Sequence, residues 1–224
     1  FTWQNGGTTF APASVWANSH IFTNTNALAF WIADFNGDGK VDLMSFDNAS
    51  QTTAKAHIST GSGFAVQNWT IALYEPDGHF NWVGDFKGDG RADIAVYVNT
   101  RRFNLYLSTG NNFAAPVPVD VILDSNPHWT YIGDFNGDGK SDILSRVADS
   151  TAHLYLANTT GNGFVPYTSL SGLDFGPNPD WNFIADFNGD GKSDVASKFS
   201  NSRIKMHLAN SAGTGYNAPA VWEG

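Results

Sequence analysis

A nine-residue acidic motif occurs four times in this chain and constrains its fold more than any other feature. The copies begin at Asp34, Asp85, Asp134 and Asp186, so successive copies start 51, 49 and 52 residues apart. The first copy reads Asp34-Phe-Asn-Gly-Asp-Gly-Lys-Val-Asp42. Self-similarity with a period of about 50 residues is typical of repeated supersecondary units. The sequence therefore predicts a repeat protein with one acidic loop in each repeat.

The spacing of oxygen-bearing side chains in the motif predicts a Ca²⁺ site. Positions one, three, five and nine offer carboxylate or amide oxygens, and the backbone carbonyl of position seven offers another, which suits a hard cation. Glycines at positions four and six permit the positive φ values of a tight turn. The predicted ligands are Asp34, Asn36, Asp38, Lys40 and Asp42; Asp85, Asp89, Arg91 and Asp93; Asp134, Asn136, Asp138, Lys140 and Asp142; and Asp186, Asn188, Asp190, Lys192 and Asp194.

The motif also fits two other interpretations in part. Asp-Gly and Asn-Gly pairs also form ordinary hairpin turns, but all four copies keep aspartates at positions one, five and nine. An EF-hand would need Glu at position twelve, where this chain has Ser45, Val96, Ser145 and Ser197. In the second copy Lys87 replaces the asparagine of position three. We therefore expect that loop to bind calcium less well than the other three.

Residues around each loop alternate between apolar and polar, which predicts β-strands rather than helices. The expected entry strands are 30–33, 81–84, 130–133 and 182–185, and each loop is followed by a second strand, a third strand, a Gly-rich turn and a fourth strand. Four antiparallel strands in about 50 residues form one propeller blade. The fold class predicted is all-β, a β-propeller of four four-stranded blades with a calcium loop in each.

The chain is predicted to be one propeller domain spanning 1–224, with repeats at about 21–72, 73–121, 122–172 and 173–224. Residues 1–20 form an extra tail, because the segment 3–16 matches the segment 209–222 at the end of the last repeat. Shorter matching segments end the other repeats, at 59–64, 108–113 and 157–164, so the chain has five tail segments but four acidic loops. The extra tail is expected to help close a ring, either within one chain or between the subunits of a homo-oligomer.

Charge and composition exclude several classes of function. The formal net charge is −9, and the four loops hold 12 of the 21 acidic residues, so four bound Ca²⁺ ions bring the charge to about −1. A nucleic-acid partner is disfavoured because the chain has no basic patch. It has no cysteine and no apolar run long enough to span a membrane. Weak calcium loops suit a calcium-rich extracellular setting, so secretion is expected.

The repeated Asp-Phe-Asn-Gly-Asp-Gly-Lys-x-Asp loop, set before an alternating strand, resembles the FG-GAP/VCBS repeats of integrin-α-type β-propellers. Within that family it looks most like calcium-containing mushroom propeller lectins, which bind N-acetylglucosamine and sialic acid. The resemblance covers nearly the whole chain and implies a propeller with calcium held by the loop residues named above. It also implies glycan partners bound in shallow pockets between blades. Family propellers usually have about seven blades, whereas this chain has four repeats.

Polar and aromatic residues before the entry strands, together with an arginine between the second and third strands of the second repeat, are candidate sugar contacts, because a sugar packs its C–H face on a ring and hydrogen-bonds through its hydroxyls. The candidates are His79, Asn81, Arg102, His128, Trp129, Asp180 and Trp181. For the histidines and tryptophans a solvated or strand-capping role is an equal alternative. Core positions are expected for the phenylalanine after each first aspartate and for the aromatic three residues before it: Phe35, Phe86, Phe135 and Phe187, and Trp82, Tyr131 and Phe183.

The sequence favours a multivalent, non-catalytic lectin stabilised by calcium. An enzyme acting on glycans, or a propeller domain of one, is a weaker alternative because no acid–base pair or nucleophile motif stands apart from the repeats. A protein-binding scaffold of adhesin or integrin type is a second alternative, in which the contacts lie on one propeller face.

Overall fold

The structure is a computed structural model that describes residues 27–47, 53–72, 81–99, 101–123, 126–148, 150–178, 181–199, 203–218 and 220–222. The expected tail at 1–20 and two candidate ligand residues, His79 and Asp180, lie outside this part of the chain. The described residues contain a three-residue 3-10 turn at Pro127–Trp129. No helix in them is long and apolar enough to cross a bilayer.

Sixteen strands in the described residues form four antiparallel sheets, each of four strands in chain order, which are the blades of a β-propeller. Blade one contains β1 (Ala27–Ala33), β2 (Asp42–Asp47), β3 (Thr53–Ser59) and β4 (Phe64–Thr70). Blade two contains β5 (Asn81–Gly84), β6 (Asp93–Asn99), β7 (Arg102–Tyr106) and β8 (Val117–Asp120). Blade three contains β9 (Thr130–Gly133), β10 (Asp142–Ala148), β11 (Thr151–Tyr155) and β12 (Thr168–Ser171), and blade four contains β13 (Asn182–Ala185), β14 (Asp194–Lys198), β15 (Ile204–His207) and β16 (Ala220–Trp222).

The acidic loop joins the first strand of each blade to the second. Gly37 and Gly39 have φ values of 77° and 81°, in the left-handed region that glycine enters without a Cβ clash. The turn brings Ala33 opposite Asp42, and the same register recurs in the other three blades. The prediction of an all-β propeller of four four-stranded blades is confirmed, including the four entry strands.

First strands of neighbouring blades lie close together, since β9 contacts both β5 and β13. The acidic loops are linked as well, because the amide at position eight of one loop donates to the carbonyl of position one in the preceding loop. These bonds are Ala92 to Asp34 at 2.7 Å, Ser141 to Asp85 at 2.7 Å and Ser193 to Asp134 at 2.6 Å. The loops therefore form a continuous row along the ends of the first strands.

Aromatic side chains fill the three joins between successive blades. The Phe35 ring lies 6.4 Å from the Trp69 ring of its own blade and 6.5 Å from the Phe113 ring of blade two. The next two joins repeat this contact, with Phe86 at 5.9 Å from Phe164 and Phe135 at 6.4 Å from Tyr216. The expectation that these loop phenylalanines are core residues is confirmed for Phe35, Phe86 and Phe135.

Blade four differs from the other three. The Phe187 side chain is 42% exposed and Phe183 is 52% exposed, whereas Phe35 is completely buried. The expectation that both are core residues is wrong because no blade covers this side of blade four in the part of the chain described. Trp82 and Tyr131, the counterparts of Phe183 in blades two and three, pack at the edges of the second and third cores.

Candidate functional site

The first aspartate of each loop organises the loop around its carboxylate. Asp34 accepts hydrogen bonds from the amides of Gly37 at 2.7 Å, Asp38 at 3.2 Å and Gly39 at 2.7 Å. Asp85, Asp134 and Asp186 accept the same three bonds in their own loops. These bonds hold the backbone in a tight wrap around one side of the carboxylate.

The last aspartate of each loop ties three segments together from a buried position. Asp142 is inaccessible to solvent, and its two oxygens accept the amides of Phe135 at 2.9 Å and Ala157 at 2.8 Å. Asp42, Asp93 and Asp194 make equivalent pairs of bonds. Burial raises the pKa of Asp93 and Asp142 to about 7, and the negative charges of the other aspartates in each loop raise it further.

The aspartate at position five pairs with the basic residue at position seven. Lys40 lies 2.9 Å from Asp38, and Lys140 lies 3.0 Å from Asp138. In loop two the ammonium of Lys87 lies 3.0 Å from Asp89, which also binds the Arg91 guanidinium. Loop two therefore places two cations on one carboxylate, and this arrangement opposes a metal ion more strongly than in the other loops.

The donor set of each loop is consistent with calcium. Carboxylate, amide and carbonyl oxygens are the ligands this ion prefers, and a bound cation would offset the cost of burying the position-nine carboxylate. In the described residues, no three Asp, Glu or His side chains converge as a preformed cluster. The loops thus supply suitable chemistry, with part of their acidic groups engaged by amides and by the position-seven cation.

The candidate ligand residues that the structure describes are spread over several places. His128 is exposed in the 3-10 turn, whereas Trp129 is buried, with the Arg146 guanidinium 3.7 Å from the centre of its ring. Trp181 is half-buried, with the Lys198 ammonium 5.1 Å from its ring centre. Asn81 accepts the Tyr97 amide at 3.3 Å. These residues are divided among blades two, three and four, and of the five candidates in the described part of the chain only Arg102 lines the large cleft described next.

A cleft of about 730 Å³ opens between blades two and three. One wall carries Arg101, Arg102 and Asp120, and the facing wall carries Tyr155, Phe164 and Tyr167. The Arg102 guanidinium binds Asp120 at 2.7 Å. The Tyr167 ring lies 5.4 Å from the Tyr155 ring. Cationic and acidic groups therefore face an aromatic surface across one opening.

The Tyr167 ring is supported from beneath, because it stacks on the buried His153 ring at a centroid distance of 3.8 Å. The Tyr155 hydroxyl donates to the Ile122 carbonyl and accepts from the Ile122 amide, at 3.2 and 2.7 Å. Burial raises the pKa of Tyr155 and lowers the pKa of His153, so both rings are uncharged at neutral pH. The aromatic wall is thus supported by the His153 ring behind Tyr167 and by the Ile122 backbone beside Tyr155.

A smaller cleft of about 260 Å³ occupies the equivalent place between blades three and four. Here His207 replaces Tyr155, and Tyr216 replaces Phe164. His207 Nε2 accepts the Asp174 amide at 3.3 Å, just as the Tyr155 hydroxyl accepts that of Ile122. Inter-blade clefts are therefore built by equivalent residues in successive repeats.

Arg102 is a sequence candidate that lies in this cleft, whereas the aromatic residues of the facing wall were not among the candidates. Alternation along a strand does not say which face a side chain occupies, so the cleft was not visible in the pattern. The signal that marks it is the repeat itself. A third-strand Tyr or His and a tail aromatic recur together in each blade.

Comparison with known proteins shows a family and solved structures that share this architecture. The sequence pattern of the FG-GAP-like repeat family matches residues 85–145 and 134–197. A solved Agrocybe aegerita lectin superposes with a TM-score of 0.70 at 20% identity, covering 97% of this chain and 58% of the lectin. The Photorhabdus luminescens Tc holotoxin pore superposes with a TM-score of 0.66 at 18% identity, covering 96% of this chain. No curated protein matches the sequence.

These solved structures share the fold with this chain, which spans 10% of the toxin chain and 58% of the lectin. The family matches run from residue 85 to residue 197 and overlap around the third loop. They cover about half of the sequence, and the first repeat, which lies outside them, carries the same acidic loop between its first two strands. The chain therefore belongs to the FG-GAP-like repeat family.

Proposed function

We propose that this protein is a multivalent, non-catalytic, calcium-stabilised lectin that works outside the cell. The observation that carries the proposal is the cleft between blades two and three, where Arg101 and Arg102 face Tyr155 and Tyr167. A rigid aromatic wall opposite hydrogen-bonding groups suits a sugar, whose rings have apolar C–H faces and polar rims. The cleft volume of about 730 Å³ accommodates one or two sugar units.

The chemistry of the cleft favours a terminal sugar that carries an acceptor or an anion. Arg102 pairs with Asp120, so this wall presents both hydrogen-bond donors and an acceptor to the cleft. Arg101 is exposed beside it and can bind a carboxylate such as that of sialic acid. The Agrocybe aegerita lectin, whose fold covers 97% of this chain, is described as recognising non-reducing terminal N-acetylglucosamine. N-acetylglucosamine and sialic acid are therefore the first ligands to test.

Repetition of the cleft supports multivalency. The equivalent opening between blades three and four has His207 and Tyr216 in place of Tyr155 and Phe164, so its preference is expected to differ. A single shallow site binds a sugar weakly, but several sites on one rigid scaffold bind a glycan-covered surface with much greater avidity.

Calcium has a structural role in this proposal. It would be held by positions one, three, five and nine and the carbonyl of position seven in loops one, three and four. When bound, it supplies positive charge that neutralises the acidic loop. The buried carboxylates of Asp42, Asp142 and Asp194 would then be balanced without protonation. Calcium sites of extracellular modules are typically weak and are filled at the concentrations found outside cells, and a structural role for calcium in these loops therefore supports the proposed extracellular location.

The test is a glycan array with labelled full-length protein in calcium and after EDTA. Binding to terminal N-acetylglucosamine or sialic acid is expected in calcium and a weaker signal is expected in EDTA. Arg101→Ala and Tyr167→Ala should each weaken binding about tenfold or more, because each removes a direct contact. His128→Ala is the control, since His128 is exposed and lies outside the cleft.

Three results would overturn the proposal. A blank array from folded, calcium-loaded protein would reject sugar binding and favour a protein partner. Loss of binding in His128→Ala, with Arg101→Ala unchanged, would place the site near the 3-10 turn instead of the cleft. Release of reducing ends from a polysaccharide by purified protein would show catalysis.

A further inference from the structure

The three joins between blades are built by the same positions in every repeat. Each blade has a trailing face toward the next blade in the chain and a leading face toward the preceding blade. The trailing face carries the residue three before the loop and the residue at loop position two. The leading face carries the residue two before the loop and the residue at loop position eight. In the first join the trailing residues Trp31 and Phe35 pack against the leading residues Val83 and Ala92. Each join therefore has a trailing side and a leading side of defined composition.

Among the described residues, no blade packs on the trailing face of blade four or on the leading face of blade one, and these two surfaces are called the free faces. Phe187 is 42% exposed on blade four, while its counterparts Phe86 and Phe135 are 1% and 2% exposed. On blade one, Ile32 is 61% and Val41 is 57% exposed, whereas Ala92 in the position of Val41 is 8% exposed. Because both faces are open to solvent, they do not pack against one another within this chain.

The backbone groups that would complete a fourth join are also in place. At each existing join, the amide at position eight donates to the carbonyl at position one of the preceding loop. The equivalent groups at the free faces are the Val41 amide and the Asp186 carbonyl, and no bond joins them in the described residues. Blade one also carries Ser59, whose counterpart Ser108 donates to the Phe35 carbonyl at 2.6 Å.

We propose that two copies of this chain associate, with the leading face of blade one of the second copy packed on the trailing face of blade four of the first copy. The new join repeats the existing three, with Ile32 and Val41 of one copy covering Phe183 and Phe187 of the other. Two copies joined twice in this way close an eight-bladed ring with two-fold symmetry, which leaves no free blade face. The inference is independent of the proposed sugar binding.

The join would also complete loop four. Position three of loop three, Asn136, lies against Gly213 of the following blade, where a Cβ on Gly213 would come within 2.6 Å of the Asn136 Cα. The counterpart of Gly213 that would meet Asn188 is Gly61 of the second copy. The other three loops are each covered by the following blade of the same chain. Loop four is covered in this way only when the second copy is present.

The test is the mass of the full-length protein in solution, measured by light scattering or sedimentation. Wild type is expected at about twice the chain mass of 24.2 kDa. Ile32→Asp and Phe187→Asp, each changing an exposed side chain on one face, should reduce the mass to that of one chain while circular dichroism stays unchanged. Ile122→Asp is the matched control, because Ile122 is 46% exposed but lies on neither face, and it should remain dimeric.

Mixing the two monomeric variants distinguishes this head-to-tail join from any other dimer. Ile32→Asp protein keeps an intact blade four and Phe187→Asp protein keeps an intact blade one, so an equimolar mixture should regain the dimer mass through one native join. A dimer made by like faces would not recover in this way, and failure of the mixture to associate would overturn the proposal.

Two further results would also overturn it. One is a folded wild type that stays monomeric at high concentration. The other is a monomeric wild type together with a dimeric variant that lacks residues 1–20, because the chain's own tail would then occupy the free face in the wild type.

Discussion

The Ser108 hydroxyl donates a hydrogen bond of 2.6 Å to the Phe35 carbonyl, across the join between blades one and two. Ser108 lies two residues after the third strand of blade two, and its own amide donates to the buried Asp93 of that blade's loop at 2.7 Å. Phe35 is the second residue of loop one. One residue thus connects two successive acidic loops, so the order of the loops and the packing of the blades depend on each other.

Calcium is expected to raise the melting temperature through this connection. At a hundredfold excess of calcium over the Kd, each occupied site adds about 2.7 kcal/mol to the free energy of unfolding. Thermal melts at pH 7, in calcium and after EDTA, measure the difference. Asp138→Asn should reduce the calcium increment and change the metal-free melt little, because Asp138 is on the loop surface. Asp120→Asn, an exposed aspartate outside the loops, serves as the control, and an EDTA melt identical to the calcium melt would refute the structural role.

Loop two is expected to be the weak calcium site. Lys87 and Arg91 both pair with Asp89, which is the position-five ligand. Lys87→Asn recreates the sequence of the other loops at position three and removes one of these cations. Equilibrium dialysis with radioactive calcium should then find about one more tightly bound ion per chain than in wild type. An unchanged number of bound ions would mean that position three does not determine occupancy.

Local features of the repeat could be predicted from the sequence, because each depends on neighbouring residues. The turn at Gly37 and Gly39 and the pairing of Ala33 with Asp42 follow from the motif and its flanking alternation. The burial of Phe35 between two blades followed from its repeated place in the motif.

Features made by residues of different repeats were harder to predict. Tyr155 and Ile122 meet across a join although they are 33 residues apart, and alternation does not reveal which face of a strand meets a neighbour. Phe187 has the same local sequence as Phe135, yet it is exposed because burial there depends on a following blade. The cleft and the free faces thus required the arrangement of the blades.

The stability of the fold is expected to depend on the absence of a side chain at Gly213, in the turn after the third strand of blade four. A Cβ at Gly213, where φ is 64°, would lie 2.6 Å from the Asn136 Cα and would push the tail of blade four away from loop three. Gly213→Ala should lower the free energy of unfolding by about 3 kcal/mol, from the clash and the left-handed backbone together. Gly172 also has a positive φ, of 82°, but a Cβ there meets nothing within 4 Å. Gly172→Ala should cost only about 1 kcal/mol, and urea unfolding of the two variants would contradict this account if their losses were equal.

Acid is expected to weaken the join between blades three and four through His207. Burial lowers the pKa of His207 below its usual 6.5, and its Nε2 is an acceptor for the Asp174 amide, so the folded state holds the neutral ring. The unfolded chain takes up a proton as the pH falls through 6.5, whereas the folded chain resists protonation to a lower pH. The histidine's contribution is therefore complete above 6.5 and declines as the pH falls below it.

The variant that tests this is His207→Tyr, which places in blade four the residue found at the same position in blade three. Tyr155 holds the Ile122 backbone through its hydroxyl, so a tyrosine at 207 is suited to hold the preceding segment in the same way. Between pH 7 and about pH 5 the free energy of unfolding should fall more steeply in wild type than in the variant, measured by urea titration in saturating calcium. Equal slopes in the two proteins would show that His207 is protonated as easily in the folded chain as in the unfolded one, and the join would then owe nothing to a neutral ring.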